Sequence, residues 1–565
     1  MSERFTVKSV GGVRREWDSL LKELLQAGPP AVSSNLVPAR EMFNLLRRRG
    51  CKSVVIEDPY MDEDHRMCHA RLHHLAQAEL SKYCKRLHFF STNIDVSALR
   101  NISEDLREEY MGMSIWRPTN SFPIGRTIIT PNGIVKPPTT KRWRPFLTCR
   151  AEQLINLAGN EIRIAGAPYI QQDHMVAACA TAAVWMAQYY MASRFDGFRV
   201  HYSPEITEAA TMYDVSYGRS IPSEGLHNGQ ILQALRALGY DPISYDVVDL
   251  SAIVAQRLLY RLIESEIPVI VGLVEPYEES AKWTGHAITA FGHGLSSSIP
   301  SLRQYPEYTA SNNSLRYIDS SDYSCAFIVN DDAAGLYRWM ELVNTKDVDT
   351  SILSHIYTSP EDIRRISEFL RTLVKNGITV SAIFYDSSGK PDMLAGIDFL
   401  AAPLPPAVTL PPRDAQDKAL AAFITAIAAI VNFPLNLLPK FVIRTYLVES
   451  NKYKLHIGKV ANPTSEFAWW IQSSYLPKWI WVTEISIAKR PRSVVGRKVI
   501  ASVVIDSSAP RDTLDFVLMH VSGWVIPVER NQLNVVRLIK DIAAERTPHL
   551  YDANFNQYAQ LERGY

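Results

Sequence analysis

A chain of 565 residues with 60 Lys and Arg against 59 Asp and Glu has a formal charge of +1, so nothing in its overall charge draws it to nucleic acid or an anionic membrane. Its length allows two to four domains, and 47% hydrophobic with 21% charged residues is the balance of a globular protein. The cysteines (Cys51, Cys68, Cys84, Cys149, Cys179, Cys325) form no CxxC pair. That argues against a zinc ribbon or a disulfide framework and, with a polar N-terminus lacking a signal-like apolar run, leads to an expected cytoplasmic location.

Residues 1–150 are expected to form an N-terminal α/β domain, to which the sequence assigns no role. Helical spacing covers Arg14 to Ala27 and Val37 to Arg49, each stopped by glycine, and Ser53 to Glu57 and Arg86 to Ser91 have the apolar runs of strands. Strands at Met113 to Arg117 and Thr127 to Thr130 flank a Pro/Gly loop. A polar helix is expected from Asp64 to Cys84. His65, His69, His73 and His74 fall on it, partly at i, i+4 spacing, but HRMCHARLHH lacks the H-E-x-x-H order of a zinc helix. A solvated polar face is the expectation, with no metal and no cofactor.

Residues 151–400 hold the stretch that proposes chemistry, PYIQQDHMVAACATAAVWMAQYYM from Pro168 to Met191. Helical periodicity begins at Cys179, with Val184, Trp185, Gln188, Tyr189 and Met191 on one apolar face. A cysteine at a helix N-terminus meets unpaired N–H groups and the positive end of the helix dipole, which favour a thiolate, the nucleophilic form. Further helices are expected to start at Ser203-Pro204-Glu205, at Asn228 as cap of Gly229 to Leu238, and at Ser251. The pattern then turns to strands: Pro268 to Val274, GHAITAFGHG opening with His286, and Ala326 to Val329 ending in Asn330-Asp331-Asp332. A Ser-rich insertion, Ser296 to Ser324, separates the last two. If those two pair antiparallel, the start of one lies beside the end of the other, and His286 meets the acids. A carboxylate behind an imidazole fixes its tautomer and stabilises imidazolium, and a base beside a thiol activates it. His227 and His293 are alternative bases; Asp332, Asp319 and Asp322 are alternative orienting groups.

On these residues the unit resembles papain-like cysteine peptidases, specifically the C39-like peptidases. The likeness lies in Gln171 and Asp173 upstream of Cys179, in Cys-Ala-Thr-Ala at the helix start, in Gly285-His286-Ala287, in Asn330-Asp331-Asp332, and in the helical GLHNGQILQALRALGY between Cys and His. It covers roughly a third of the chain. The resemblance implies a helical half carrying the Cys and an antiparallel sheet half carrying His and Asp. It also implies Cys179 as nucleophile, His286 as base and later acid, Asp331 as orienting group, and an upstream glutamine as oxyanion donor with the Cys backbone N–H. The family usually places that glutamine six residues before the Cys; here Asp173 stands there, with Gln172 seven and Gln171 eight before. Gln172 is taken as the donor, with Gln171 the alternative.

A helix is expected at Ser359 to Lys375 and a strand at Val380 to Tyr385. The proline-rich run 401–412 reads as a stiff extended linker, followed by a Trp-rich C-terminal α/β domain, residues 413–565. Ala419 to Leu438 approaches the length of a membrane span, but Asn432, Pro434 and Asn436 shorten it to a buried helix, so no membrane span is expected. Strands are expected at Phe441 to Glu449, Trp481 to Ile487 and Lys498 to Asp506, a short helix at Asp512 to His520, and a solvated basic turn at Arg490, Arg492, Arg497 and Lys498. The fold class expected for the whole is α+β. The function expected is an intracellular cysteine hydrolase acting on a peptide or protein substrate, with no nucleic-acid partner. The alternatives are acyl transfer to an amine by the same residues, or an inactive papain-like interaction protein.

Overall fold

The computed structural model describes residues 4–25, 36–73, 81–119, 122–131, 143–173, 179–212, 226–276, 283–296, 306–310, 313–431, 441–460, 466–487, 499–510, 517–521, 524–527 and 539–540. The architecture is mixed α+β. It is built on three sheets and a separate hairpin among those residues.

The first sheet begins with β1 (Phe5–Ser9), followed by α1 (Arg14–Leu24), α2 (Val37–Arg48) and β2 (Ser53–Tyr60). Next come α3 (Glu63–Cys68), β3 (Cys84–Phe90), α4 (Glu104–Glu108), β4 (Tyr110–Trp116) and β5 (Ile124–Ile129). The strands pair in sequence order and antiparallel. The expected long helix from Asp64 to Cys84 is shorter: α3 passes into a π-helical turn at His69–His73, and Cys84 already belongs to β3. Its face is also not simply solvated. Asp64, His65 and Cys68 are buried, because Asp64 accepts hydrogen bonds from the N–H (2.8 Å) and hydroxyl (3.1 Å) of Ser203 in the next unit. His74 lies outside the described residues.

The expected boundary at residue 150 is crossed in both directions. β6 (Trp143–Phe146) pairs with a strand of the central sheet. Beyond the hairpin β7 (Ala151–Leu157) and β8 (Asn160–Gly166), β9 (Pro168–Tyr169) returns to the first sheet as the antiparallel neighbour of β5.

Four helices follow: α5 (Cys179–Arg194), α6 (Ser203–Thr211), α7 (Asn228–Ala237) and α8 (Ala252–Glu264), with β10 (Asp241–Asp246) before the last. The helix caps differ from expectation. Tyr202 rather than Ser203 is the N-cap of α6, its N–H taken by Glu205 at 3.0 Å. His227 rather than Asn228 caps α7. α5 does not present one apolar face: every residue from Ala180 to Met191 is buried, since sheet, hairpin and helices enclose it on all sides. Within that buried run Gln188 is satisfied, pairing with both backbone groups of His201 at 3.0 and 2.8 Å.

The central sheet contains β11 (Val269–Pro276), β12 (Trp283–Ser296), β15 (Ser324–Asp331), β16 (Gly335–Asn344), β17 (Val380–Tyr385) and β18 (Pro391–Leu404), all antiparallel. β18 pairs with β17 along its first half and with β11 along its second, which closes these six strands into a barrel-like ring. α9 (Thr350–Ile356) and α10 (Pro360–Lys375) join β16 to β17. At one point the crossing is very close. A β-carbon on Gly292 in β12 would lie 2.4 Å from the Phe146 carbonyl of β6. Gly292→Ala is therefore expected to cost about 1–3 kcal/mol through overpacking, measured as a shift in denaturant midpoint.

The third sheet draws on both remaining regions. The Ser-rich insertion contains β13 (Glu307–Ala310) and β14 (Asn313–Asp319), and β14 lies parallel to β19 (Phe441–Glu449). β20 (Trp479–Ile487), β21 (Val499–Asp506), β22 (Leu518–Val521), β23 (Trp524–Pro527) and β24 (Ile539–Lys540) complete it. The expected helix from Asp512 to His520 is contradicted, since Leu518 onward is strand. The expected linker 401–412 is contradicted in its first part: Pro403 and Leu404 belong to β18, paired with Pro242 and Asp241 of β10. Ordinary strand pairing tolerates proline at a sheet edge, which is where β10 and the end of β18 lie. α11 (Pro412–Val431) then packs against the third sheet, with α12 (Ser450–Val460) and α13 (Glu466–Ser473) following. No helix among the described residues is long and apolar enough to cross a membrane. Trp479 and Trp481 are buried and Trp469 is 62% exposed. The basic turn at Arg490, Arg492, Arg497 and Lys498 lies outside the described residues.

Candidate active site

The site forms where the Cys helix meets the open end of the β12–β15 pair. β12 and β15 are in antiparallel register with Thr289 opposite Asn330, so the start of β12 and the end of β15 come together. His286 Nε2 lies 2.9 Å from Asp331 Oδ1 and 3.8 Å from Asp332 Oδ1. α5 lies against β12, and the Thr289 hydroxyl donates to the Ala183 carbonyl one turn into the helix at 3.0 Å. This fixes the helix start beside the same strand, and Cys179 comes near enough to His286 to help raise the imidazole. With Nε2 facing Asp331, Nδ1 is the ring nitrogen left for the thiol. Cys179 is half-buried, whereas Cys51, Cys68, Cys84 and Cys149 are buried.

Electrostatics follow from that geometry. Burial pulls the His286 imidazole down, but the charge and hydrogen bond of Asp331, joined by Cys179, outweigh it and hold His286 well above its usual range. Burial works to raise Asp331; the His286 charge and hydrogen bond, Arg338 and the Ala333 N–H reverse this and hold it below the usual carboxylate range. The N–H groups of Ala333 (2.9 Å) and Ala334 (3.2 Å) both donate to Asp331 Oδ1. Asp332 behaves oppositely: burial, with Asp331 adding its repulsion, pushes it up to about 7 despite His286. Burial raises the other thiols, Cys51 to about 12.

The first sheet sets the approach to the cysteine. After β9, Gln171 forms a two-way pair with Ile124: its N–H donates to the Ile124 carbonyl at 3.1 Å and its Oε1 accepts from the Ile124 N–H at 3.2 Å. Arg117, at the end of β4, donates to the carbonyls of Gln171 (2.9 Å) and Gln172 (3.1 Å). From the other side Asn330 Nδ2 donates to the Pro168 carbonyl at 2.9 Å, and the Tyr169 hydroxyl donates to the Asp332 carbonyl at 3.2 Å. The Tyr337 hydroxyl donates to the Ile129 carbonyl at 2.6 Å and accepts from the Ala167 N–H at 3.0 Å. Residues 167–172 are thus stitched between the first sheet and the β15–β16 turn.

Cys179, His286 and Asp331 are brought together. Gln172 stands on the stitched segment with its side chain half-buried, and Gln171 is committed to Ile124. Asp173 lies near enough to Cys68 to push that thiol up, on the side of the first sheet. Residues 174–178, between Asp173 and Cys179, lie outside the described residues. Of the alternatives, Asp332 also stands beside His286, and the others are placed elsewhere. His293 is fully buried against Glu264 at 2.6 Å, and His227 caps α7. Asp319 pairs with Arg261 and Asp322 with Arg257. Arg117, Tyr169, Tyr337 and Arg338 were not legible as site residues. No local pattern marks them, since each acts on a partner distant in sequence.

No protein-family model matches the chain, and no curated protein sequence matches it significantly.

Proposed function

We propose that this protein is a cysteine hydrolase of peptide or isopeptide bonds, with a papain-like arrangement of its central unit and Cys179, His286 and Asp331 as the catalytic residues. The observation that carries the reading is His286 itself, hydrogen-bonded to Asp331 through Nε2, with the half-buried Cys179 of α5 near enough to help raise the imidazole. In this mechanism the thiol proton passes to His286, and the thiolate sulfur attacks the substrate carbonyl carbon. The developing oxyanion meets the Cys179 backbone N–H at the start of α5, with Gln172 as the side-chain donor. His286 then gives its proton to the leaving amine, which breaks the C–N bond and leaves a thioester. Water attacks that thioester, His286 takes its proton and returns it to sulfur. Asp331 keeps the ring oriented and offsets the imidazolium charge throughout. An amine in place of water would make the same residues an acyl transferase.

Cys179→Ala removes the nucleophile and is expected to abolish cleavage of peptide and isopeptide substrates while leaving the thermal unfolding midpoint close to that of the parent. Cleavage that survives the substitution would overturn the reading.

A further inference from the structure

We propose that His286, Asp331 and Asp332 form a binding site for a divalent cation of the zinc type, behind the ring face that addresses Cys179. A relay needs one acid behind its imidazole; here two consecutive acids face Nε2. The second, Asp332, is approached by the backbone N–H groups of Gln172 and of Asp332 itself, but neither closes a hydrogen bond of ordinary geometry. Asp332 is 0% exposed, and neither of its carboxylate oxygens has a hydrogen-bond partner of ordinary geometry. A buried carboxylate in that condition is costly unless a cation or donors meet it. One ligand atom from each of the three residues lies within 4.8 Å of the others. Zinc bonds of about 2.0–2.2 Å in tetrahedral array place ligand atoms roughly 3.3 Å apart. The separations of 2.9 Å and 3.8 Å from Nε2 to the two acids straddle that value.

The surroundings suit such an ion. The Ala333 and Ala334 N–H groups fix Asp331 Oδ1 from outside, as supporting hydrogen bonds do around metal ligands. Arg338 approaches only the other oxygen, Oδ2, at 3.6 Å, and is engaged by Asp392. A neutral imidazole and two carboxylates offset the two positive charges of the ion. Coordination uses the Nε2 lone pair, so the ring proton moves to Nδ1, the nitrogen facing Cys179. His286 then has no lone pair with which to take the thiol proton. Binding is therefore expected to silence the thiol reversibly; that consequence rests on the proposed hydrolase function, while the binding itself does not.

The test is calorimetric titration of the full chain with Zn2+ in a non-chelating buffer. One equivalent is expected in the parent protein and in Cys179→Ala, with affinity at least about 100-fold weaker in Asp332→Asn, whose fold is checked by circular dichroism. No stoichiometric binding, unchanged binding in Asp332→Asn, or loss of binding in Cys179→Ala would each overturn the site. Should Asp332→Asn not fold, the Co2+-loaded parent decides. Ligand-field absorption without a thiolate-to-metal charge-transfer band supports N/O ligation, and appearance of that band places the ion on sulfur and overturns it. The hydrolase reading fails by a different result, cleavage retained in Cys179→Ala, so the two failures are distinguishable.

Discussion

His286→Ala is expected to slow the alkylation of Cys179 by iodoacetamide at pH 6 by about 100-fold or more, in line with the usual weight of a positioned base. The adduct is located by mass spectrometry. In the parent, labelling is expected to be selective for Cys179 among the described cysteines. Cys51, Cys68, Cys84 and Cys149 are buried, and burial pushes each of those thiols up, whereas Cys179 is half-buried beside a protonatable partner. Removing the imidazole removes the acceptor of the thiol proton and the positive charge that stabilises the anion. Asp331 is left behind as a buried carboxylate whose main counter-charge is gone, Arg338 standing 3.6 Å away. The remaining negative field disfavours a thiolate, so the change adds to the loss of the base. Equal labelling rates in parent and variant would show that the pair does not activate the thiol.

The second large effect lies away from the site, in the buried charges that join the central and third sheets. Glu264 at the end of α8 is completely buried between His293 of β12 at 2.6 Å and Arg444 of β19 at 2.8 Å. Arg444 also reaches Glu484 of β20 at 3.1 Å, and Glu484 accepts from the Tyr446 hydroxyl at 3.0 Å. Removing one partner from a buried pair strands the other charge, so Arg444→Met is expected to cost about 3–5 kcal/mol in chemical denaturation. Adding Glu264→Gln should recover part of that loss, because it withdraws the stranded charge. The pH dependence has a definite sign. Burial works to raise Glu264, but Arg444 and His293 outweigh it and lower its pKa. A carboxyl lowered on folding contributes stability above its unfolded value, about 4.3, and loses it as pH falls through the folded value. The deficit of Arg444→Met should therefore be full at neutral pH and shrink on acidification below about 4. A deficit that is constant across that range would mean that Glu264 is not the charge being stranded.

Much of the central unit was legible because its signals are local. The apolar run before Glu275, the strand opening at His286 and the strand closing at Asp331 are each set by a short period. The antiparallel pairing of the last two, a condition at the level of sequence, is supplied by the register that sets Thr289 opposite Asn330. What was misread was decided by surroundings. Asp512 to His520 reads locally as a short helix, but the pairing of Leu518 with Val504 on β21 makes its end strand. Pro403 signals a linker locally, yet its neighbours pair with β10. Helix α5 has residues suited to one face against a core but is enclosed on every side. The Ser-rich insertion reads as loop, although Tyr317 to Asp319 gain partners on β19, distant in sequence.

By itself, then, the sequence determined the order of Cys-bearing helix, His-bearing strand and Asp-bearing strand, since backbone periodicity and capping act over a few residues. Only the tertiary structure decided that Arg117 ties down Gln171 and Gln172, that Asp332 is buried beside His286 with neither oxygen in a hydrogen bond of ordinary geometry, and that Glu264 meets Arg444 across 180 positions. Those pairings depend on which polar groups are withdrawn from water together, and that is a property of packed layers rather than of neighbouring residues.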